Sequence, residues 1–525
     1  MSLSLITFIP LAVGLLILLV PQKNATVIRW MAILATAFQL FLVFSIYQNF
    51  DKSKAGINQA DSYQFVENHE WINVSLGSYG KLEINYTMGI DGLSVTMLIL
   101  TAIISLIGVI SSWKIDKHIK GYFFCFLLLD AAMMGVFSAL DFFLFYLFWE
   151  MMLIPMYFLI GIWGGPRREY AAIKFFLYTL AGSLFMLLVM IALYFSYVSN
   201  PGAPSHELVH SFNMITMMNP SNLLPGSLMS FESWRMTAFV LLFIGFAIKI
   251  PMFPFHTWLP DAHVEAPTPI SVVLAGVLLK MGTYGLLRIA YPIFPDAVLN
   301  FSWYIGLFGV INIIYGALAA MGQTDLKKMI AYSSISHMGF VLLGMASLST
   351  EGMSGAVLVM FSHGLISGML FLAVGVVYDR AHHREIDGFG GLAKQMPVYT
   401  AITLFAFMAS LGLPLMSGFI GEALVFMGAF STPLTQNLSI VATLGIILTA
   451  VYYLWTYQRV FTGELNPKYV GMEEINGREL LMLIPLGILV LLVGIYPSIY
   501  TDLITTSLNH LNDFIKSSGS VVVQL

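Results

Sequence analysis

Apolar residues dominate the chain in runs long enough to cross a lipid bilayer. A membrane-spanning helix needs about 20 predominantly apolar residues. Runs of that length start near residues 3, 27, 88, 119, 141, 169, 236, 267, 300, 327, 354, 397, 437 and 478. The longest polar stretches, 48–87 and 199–235, lie between such runs. The pattern predicts an all-α polytopic membrane protein with about fourteen transmembrane helices.

The basic residues predict how these helices are oriented. Of the 24 Lys and Arg residues, 15 lie in loops after odd-numbered runs, 5 lie on the other side, and 4 lie inside runs. Basic loop residues stay on the cytoplasmic side of a membrane. Both termini are therefore expected on the outer face.

Two blocks of five helices indicate an internal repeat. A unit with an odd number of spans reappears upside down when it is repeated in tandem. The fourth helix of each block is interrupted by proline, at Pro251 in span 7 and at Pro414 in span 12. Broken helices at matching positions of two inverted repeats are typical of transporter sites. The predicted organisation is three helices with an outward-facing loop, a first five-helix repeat, a second inverted repeat, and a last helix with its tail, at 1–118, 119–290, 300–461 and 462–525.

Composition agrees with a lipid environment and removes several function classes. The chain of 525 residues is 58% hydrophobic and only 10% charged, whereas a soluble domain is about 25% charged. The net charge of -4 gives no basis for nucleic-acid binding. The one cysteine, Cys125, cannot supply the four thiolates that an iron–sulfur cluster normally needs.

Six ionisable side chains lie close to the middle of predicted spans. A charge at the bilayer centre costs about 2.5–3.5 kcal/mol on insertion scales, so such residues are usually functional. Asp130 has a similar depth but no obvious partner in the sequence. The six are Glu150, Lys249, Lys280, His337, His363 and Glu422.

Proton transfer is the chemistry that this set of residue types fits. Histidine titrates near neutral pH, and a nearby carboxylate changes how firmly a buried lysine holds its proton. Broken helices expose backbone groups that water can solvate. Structural alternatives remain for single residues: an ion pair for Lys249, a helix cap for Glu422, and hydrogen-bonded core histidines. A haem clamped by His337 and His363 is a further alternative.

A second cluster of polar residues follows the break in span 7. His256, Asp261, His263 and Glu265 lie within ten residues of one another, at the predicted cytoplasmic end. Such a cluster fits a metal site, a proton-collecting entrance or a hydrogen-bonded turn.

Several stretches resemble one known family. They are MGIDGLS at 88–94, DFFLFYLFWEMMLIPMYFLIGIWGG at 141–165, the stretch from IKIPMFPFHTWLPDAHVEAPTP to LLR at 248–288, AYSSISHMGF at 331–340, and GLPLMSGFIGE at 412–422. Over essentially the whole helical core, the chain resembles the antiporter-like membrane subunits of respiratory complex I, the NADH:quinone oxidoreductase. Subunits of stand-alone cation/proton antiporters and hydrogenase membrane arms share part of these motifs and remain alternatives.

The resemblance implies roles for matching residues. Glu150 would modulate Lys249, and Glu422 would pass protons outward. Lys249, Lys280, His337 and His363 would form a polar axis along the mid-membrane. Glu422 separates the chain from L-like and N-like sister subunits, which carry lysine there. The tail 497–525 is expected to form at most a short amphipathic helix.

The resemblance also implies where the chain works and with which partners. It would be a proton-translocating subunit of an enzyme in the cell inner (plasma) membrane, without a redox centre of its own. FMN, iron–sulfur clusters and quinone would belong to partner subunits. The L-like and N-like subunits of the membrane arm and the lipid bilayer would be its neighbours.

Overall fold

The structure, a computed structural model, describes residues 2–54, 56–75, 81–204 and 207–522, with the side chains of 518–522 excepted. Helices make up most of it. As far as residue 293, they are α1 Leu3–Leu19, α2 Ala25–Gln48, α3 Gly92–Ser111, α4 Ile119–Ser138, α5 Phe142–Met151, α6 Leu153–Trp163, α7 Arg168–Ser196, α8 Met214–Met218, α9 Glu232–Lys249, α10 Trp258–Glu265, α11 Thr268–Val273, α12 Leu279–Gly285 and α13 Tyr291–Ile293. The rest are α14 Pro295–Met321, α15 Leu326–Ala346, α16 Thr350–Ala381, α17 Pro397–Ser410, α18 Ser417–Ser431, α19 Gln436–Phe461, α20 Gly477–Ile495 and α21 Ser498–Val522.

Eleven helices within the described ranges are long and apolar enough to span a bilayer. They coincide with predicted spans 2–6, 8–11, 13 and 14. The other three predicted spans coincide with shorter or more charged helices: α1 has 17 residues, α17 and α18 have 14 and 15, and α9 carries three charged residues. The chain is therefore a mostly helical, multi-pass membrane protein.

A small sheet corrects the prediction of a purely helical chain. Strand β1 (Gln64–Ser75) pairs antiparallel with β2 (Lys81–Ile90), and β2 pairs parallel with the short β3 (Val209–Ser211). Most of β1 is exposed, so it lacks the alternation of buried and exposed residues by which a strand is recognised in a sequence.

The segment Thr268–Ile293 and helix α16 form the centre of the bundle. The most apolar 18-residue stretch of each is entirely buried by other parts of the chain. Helices α2, α7 and α19 keep most of their apolar stretches uncovered, as helices that face lipid do. Charged side chains on the central helices are thus shielded from lipid by protein.

Aspartates fix where three of the helices begin. The carboxylate of Asp141 accepts hydrogen bonds from the backbone N–H groups of Phe143 and Leu144, at 2.9 and 3.1 Å. Asp91 caps α3 and Asp325 caps α15 in the same way. A side-chain oxygen at this position satisfies N–H groups that have no partner within the helix.

Glycines allow the closest helix contacts. A Cβ added to Gly339 of α15 would lie 2.5 Å from the carbonyl oxygen of Gly309 in α14. One added to Gly245 of α9 would lie 2.7 Å from that of Gly182 in α7. Small residues at such crossings are how membrane helices gain close packing.

The tail corrects a second prediction. Helix α21 has 25 residues, which is longer than the short helix that was expected, and residues 523–525 lie outside the described range. One stripe of its side chains is buried, and polar residues separate the members of that stripe. In the sequence, these intervening polar residues hide the apolar stripe, which is why a long helix was not predicted for the tail. The stripe consists of Tyr500, Leu503, Ile504, Leu508, Leu511 and Ile515.

Candidate functional site

Lys280 projects from the central segment at a point where the helix is widened. The five residues Leu274–Leu278 form a π-helical turn, and Lys280 follows in α12. Its Nζ atom donates a short hydrogen bond to the carbonyl of Ala275 and lies 2.7 Å from Nδ1 of His363. Single π-turns inside helices often mark functional positions.

Three further ionisable groups continue from Lys280 into the other half of the bundle. The rings of His363 and His337 have centroids 5.5 Å apart. Nδ1 of His337 lies 3.4 Å from Oε1 of Glu422. A cavity of about 10 Å³ lies between these residues, close to the smallest volume that holds one water. The structure thus brings Lys280, His363, His337 and Glu422 into one row.

Hydroxyl groups extend this row beside His337. Its Nε2 lies 3.0 Å from Ser410 Oγ, which is 2.7 Å from the hydroxyl of Tyr453. That hydroxyl donates to Ser333 Oγ at 3.1 Å. A hydroxyl both donates and accepts a hydrogen bond, so protons can pass along such a row without movement of heavy atoms.

Glu422 lies on α18 behind the turn that separates α17 from α18. Residues 411–416 form this turn, in which Gly412 has a φ of 82°. A Cβ at Gly412 would lie 3.0 Å from Oε2 of Glu422. The alternative that Glu422 caps this half-helix is wrong, because α18 begins at Ser417 and its cap residue is Met416.

Lys249 and Glu150 form a separate part of the site. Lys249 is the last residue of α9 and is fully buried, and its Nζ has no hydrogen-bond partner in the described chain. The ammonium lies 5.2 Å from the ring centroid of Phe175 and 5.6 Å from that of Trp149. Oε1 of Glu150 is also buried without a partner, near enough to Lys249 to interact with it electrostatically.

This arrangement leaves Lys249 with aromatic faces in place of a hydrogen-bonded counterion. Cation–π contacts stabilise a desolvated ammonium by about 2 kcal/mol, which is less than a buried charge costs. Within the described ranges, Lys249 forms no tight ion pair, which was the structural alternative for it.

Asp130 is buried on α4 and accepts a hydrogen bond from a serine. Ser105 Oγ donates to its Oδ1 at 2.6 Å, while Oδ2 has no partner in the described chain. The partner missing from the sequence interpretation is thus a hydroxyl from α3.

The polar cluster after α9 divides into separate contacts. Asp261 pairs with Lys174 at 2.7 Å, whereas His256 Nε2 lies 3.0 Å from the hydroxyl of Tyr315. His263 is fully buried and stacks on Phe371 with centroids 4.5 Å apart, and neither of its ring nitrogens has a partner in the part of the chain that the structure describes. Among the described residues, no three His, Cys, Asp or Glu side chains are grouped so that they could hold a metal ion.

The sequence interpretation missed the buried ion pair between Arg288 and Asp91. The guanidinium of Arg288 makes a short contact with Asp91 and donates to the hydroxyls of Tyr63 and Tyr284, at 2.9 and 3.2 Å. Arg288 is one of the four basic residues inside predicted spans. Its position could have indicated a buried ion pair, because a charge within a span needs a partner. Asp91 lies in the MGIDGLS stretch.

Comparison with known proteins identifies the family. The model of the NADH:quinone oxidoreductase/Mrp antiporter transmembrane family matches residues 139–449, which is more than half of the chain. The chain belongs to this family. It is 41% identical to NADH-quinone oxidoreductase subunit M of Rhodobacter capsulatus, covering 97% of this chain and 96% of that protein. It is 39% identical to NADH-ubiquinone oxidoreductase chain 4 of Marchantia polymorpha, covering 97% of both.

Solved structures of this family have the same fold. A chain of respiratory complex I from Thermus thermophilus with bound NADH is 27% identical, with a TM-score of 0.82 over 99% of this chain and 100% of that one. A chain of the Mrp complex from a Dietzia species has a TM-score of 0.80 over 99% of both chains. At 20% identity, this second likeness concerns the fold alone.

Proposed function

We propose that this chain is the subunit M-type component of an NADH:quinone oxidoreductase membrane arm, where it moves protons across the inner membrane. The row of Lys280, His363, His337 and Glu422 carries the proposal, because a lipid-shielded row of exchangeable groups serves proton transfer. About 40% identity to subunit M proteins along nearly the whole chain supports the assignment to this subunit type. L-like and N-like subunits would be its neighbours, and FMN, iron–sulfur clusters and quinone would belong to partner subunits.

The proposed relay has two parts. Glu150 controls the proton on Lys249 in the first part, and the row from Lys280 to Glu422 conducts in the second. No hydrogen bond of Lys249 joins the two parts within the described chain. Lys249 has no hydrogen-bond partner there, whereas Lys280 lies 2.7 Å from His363. A chain of water between the two lysines would close the relay when redox chemistry in partner subunits moves Glu150.

We also propose that the helices form fourteen spans in two inverted five-helix repeats, with the boundaries 119–290 and 300–461. The α9/α10 and α17/α18 pairs would each be one broken span. In support, α9 ends at Lys249 and α10 begins at Trp258, with Pro251 between them; α17 ends at Ser410 and α18 begins at Ser417, with Pro414 between them. The bias of basic residues favours both termini on the outer face.

Replacement of Lys249 by methionine tests the assigned role. Methionine matches the length of the side chain and removes the exchangeable proton. Proteoliposomes containing the whole complex should then pump fewer protons per NADH oxidised. Lys468→Met, at an exposed loop residue, is the matched control. An unchanged ratio in Lys249→Met complexes would show that the role is wrong.

A subunit of a stand-alone cation/proton antiporter is the competing assignment, supported by the common fold. Purification of the tagged chain in mild detergent separates the two. Subunits that oxidise NADH and bind flavin should co-purify with it. Their consistent absence from a stable complex would favour the antiporter.

A further inference from the structure

A cavity of about 580 Å³ opens between the loop before α9 and the junction of α13 with α14. This volume lies within the range of small-molecule sites. Its walls are mainly apolar. They include Met217, Met218, Leu223, Phe231, Pro292 and Ile293. None of the residues in the proton-transfer row lines it, so the cavity is separate from the site described above.

A buried ion pair lies in the cavity wall. Arg235 Nε donates to Asp296 Oδ2 at 2.8 Å, and the two side chains are 10% and 2% exposed. Arg235 Nη1 donates to the carbonyls of Met229 and Ser230, both at 3.2 Å. Within the described chain, Arg235 donates through Nε and Nη1 but makes no hydrogen bond through Nη2, and Oδ1 of Asp296 is buried without a partner.

Unused donors and acceptors on a buried ion pair point to a ligand. A charged group taken out of water is stable only when its remaining hydrogen-bonding positions are satisfied. Nη2 of Arg235 suits an anionic oxygen, and Oδ1 of Asp296 suits an N–H donor. Glu232, the first residue of α9, also lines the cavity and adds a second carboxylate.

The balance of charge selects a zwitterion. One guanidinium and two carboxylates leave the site with a net charge of -1, so a purely anionic ligand would be repelled by the carboxylates. A ligand that carries both a phosphate and a primary ammonium fits both signs. The three N–H donors of a primary ammonium can serve both carboxylates.

Residues around the cavity place it at the edge of the bilayer. Leu228, Phe231 and Trp234 are 40%, 57% and 49% exposed. Exposed Trp beside apolar residues is typical of the headgroup level. A phospholipid can therefore reach the cavity with its headgroup while its acyl chains stay in the membrane.

We propose that this cavity binds the headgroup of phosphatidylethanolamine. The phosphodiester accepts from Arg235 Nη2, the ammonium donates to Asp296 and Glu232, and the glycerol backbone packs on Met217 and Met218. The lipid fastens the loop before α9 to the start of α14. This site is independent of proton transfer, so it stands or falls separately from the proposed function.

Photolabelling of the assembled complex tests the site. Two lipids with the same diazirine-bearing acyl chain, phosphatidylethanolamine and phosphatidylglycerol, are compared in vesicles of otherwise equal composition. We expect phosphatidylethanolamine to label peptides 217–235 and 292–296 about tenfold more, the effect of one charge-assisted hydrogen bond. Glu232→Gln should reduce this preference. The double variant Arg235→Gln/Asp296→Asn, which removes both charges together, should reduce the labelling itself about tenfold.

Controls make each result decisive. Glu169→Gln should leave labelling unchanged. Glu169 is exposed at the start of α7, whereas the cavity lies next to the end of this helix. Co-purification with the other subunits shows whether the double variant assembles. If it does not assemble, the test rests on Glu232→Gln, a surface variant in which the preference for phosphatidylethanolamine should fall. Equal wild-type labelling by the two lipids, or full labelling in assembled double-variant complexes, would overturn the proposal. Unlabelled phosphatidylethanolamine and water-soluble O-phosphoethanolamine are compared as competitors of the label. If the two compete equally well, the cavity belongs to a soluble phosphate ester, and the lipid is overturned as its occupant.

Discussion

Nζ of Lys280 lies 2.7 Å from Nδ1 of His363, and both side chains are buried at the centre of the bundle. Only one of two hydrogen-bonded nitrogens can supply the proton between them. A proton gained by His363 on this nitrogen therefore requires Lys280 to turn away or to lose its own. The pair forms a junction between the halves of the chain.

Removal of the acceptor at this junction should block transfer. His363→Phe keeps a planar ring of similar size but has no nitrogen. Removal of a group that transfers protons typically slows a step by about 10²-fold or more. We expect NADH-driven proton uptake by proteoliposomes to fall, with the complex still assembled. His382→Phe, at a residue outside the row, is the control; uptake equal to wild type in His363→Phe would contradict this junction.

Glu422 should be more sensitive to the loss of its charge than to the loss of its shape. Glu422→Gln preserves the contact with His337 but cannot exchange a proton, so we expect reduced pumping with little change in thermal stability. Glu422→Asp keeps the carboxyl and should recover part of the pumping. The two variants are compared by proton uptake per NADH. Equal pumping by Gln and Glu would show that this side chain is structural.

The Arg288–Asp91 pair should matter for stability. Asp91→Leu leaves an uncompensated guanidinium in the protein, and loss of one partner of a buried pair costs about 3–5 kcal/mol. The double variant Asp91→Leu/Arg288→Met should lose less stability than Asp91→Leu alone. Thermal unfolding of the purified complex measures both. Equal losses would mean that the two charges do not depend on each other.

Gly92 should be irreplaceable beneath the C-terminal helix. A Cβ there would lie 1.9 Å from the carbonyl oxygen of Leu503, so Gly92→Ala has to displace α21. Overpacking of this kind costs about 1–3 kcal/mol. Hydrogen–deuterium exchange in 498–517 should speed up. Gly477→Ala, where the added Cβ meets nothing within 4 Å, is the control and should leave that exchange unchanged.

The contact of α21 with the loop between α2 and β1 should weaken in mild acid. Burial lowers the pKa of His510 below its usual 6.5, against an opposing effect of Asp513. Its Nδ1 accepts a hydrogen bond from the N–H of Ile57 at 3.1 Å, which a proton on that nitrogen would abolish. Because the folded-state pKa is the lower one, the contact is fully stable above pH 6.5 and loses stability as the pH falls below it.

Exchange of the Ile57 amide, measured between pH 7.5 and 5.5 and corrected for intrinsic exchange, should report this loss. His510→Asn removes the titrating group while keeping a neutral acceptor. In that variant the pH dependence should vanish. A wild-type contact that is equally protected at both pH values would contradict the assignment to His510.

The residue types of the candidate site and their places on apolar helices were predictable from the sequence, but contacts between distant helices were not. Lys280 and His363 are 83 positions apart, and no local pattern joins them. Ser410, Tyr453 and Ser333 are common residues in membrane helices, so nothing in the sequence marks them as a row. Glu150 and Lys249 were expected to interact, and the structure places them near enough to interact electrostatically, but neither Lys249 Nζ nor Glu150 Oε1 has a hydrogen-bond partner in the described chain.

The pattern of apolar residues along the sequence reveals long apolar helices but not strand β1 or helix α21. In the described ranges, eleven predicted spans coincide with helices long and apolar enough to cross a bilayer, because long apolar runs are visible in the sequence itself. Strand β1 was missed since its side chains face solvent on both sides, and α21 because its apolar residues are spaced too widely for a hydropathy window.

The row of hydroxyls at Ser410, Tyr453 and Ser333 has no built-in polarity. Each oxygen can reverse its O–H bond, so the row carries charge equally well either way. In the proposed relay, vectorial transport therefore has to be imposed upstream, by whatever fixes the timing of the charges on Glu150 and Lys249. Detached from such a driver, these helices would act as a passive leak that dissipates the gradient they serve to build.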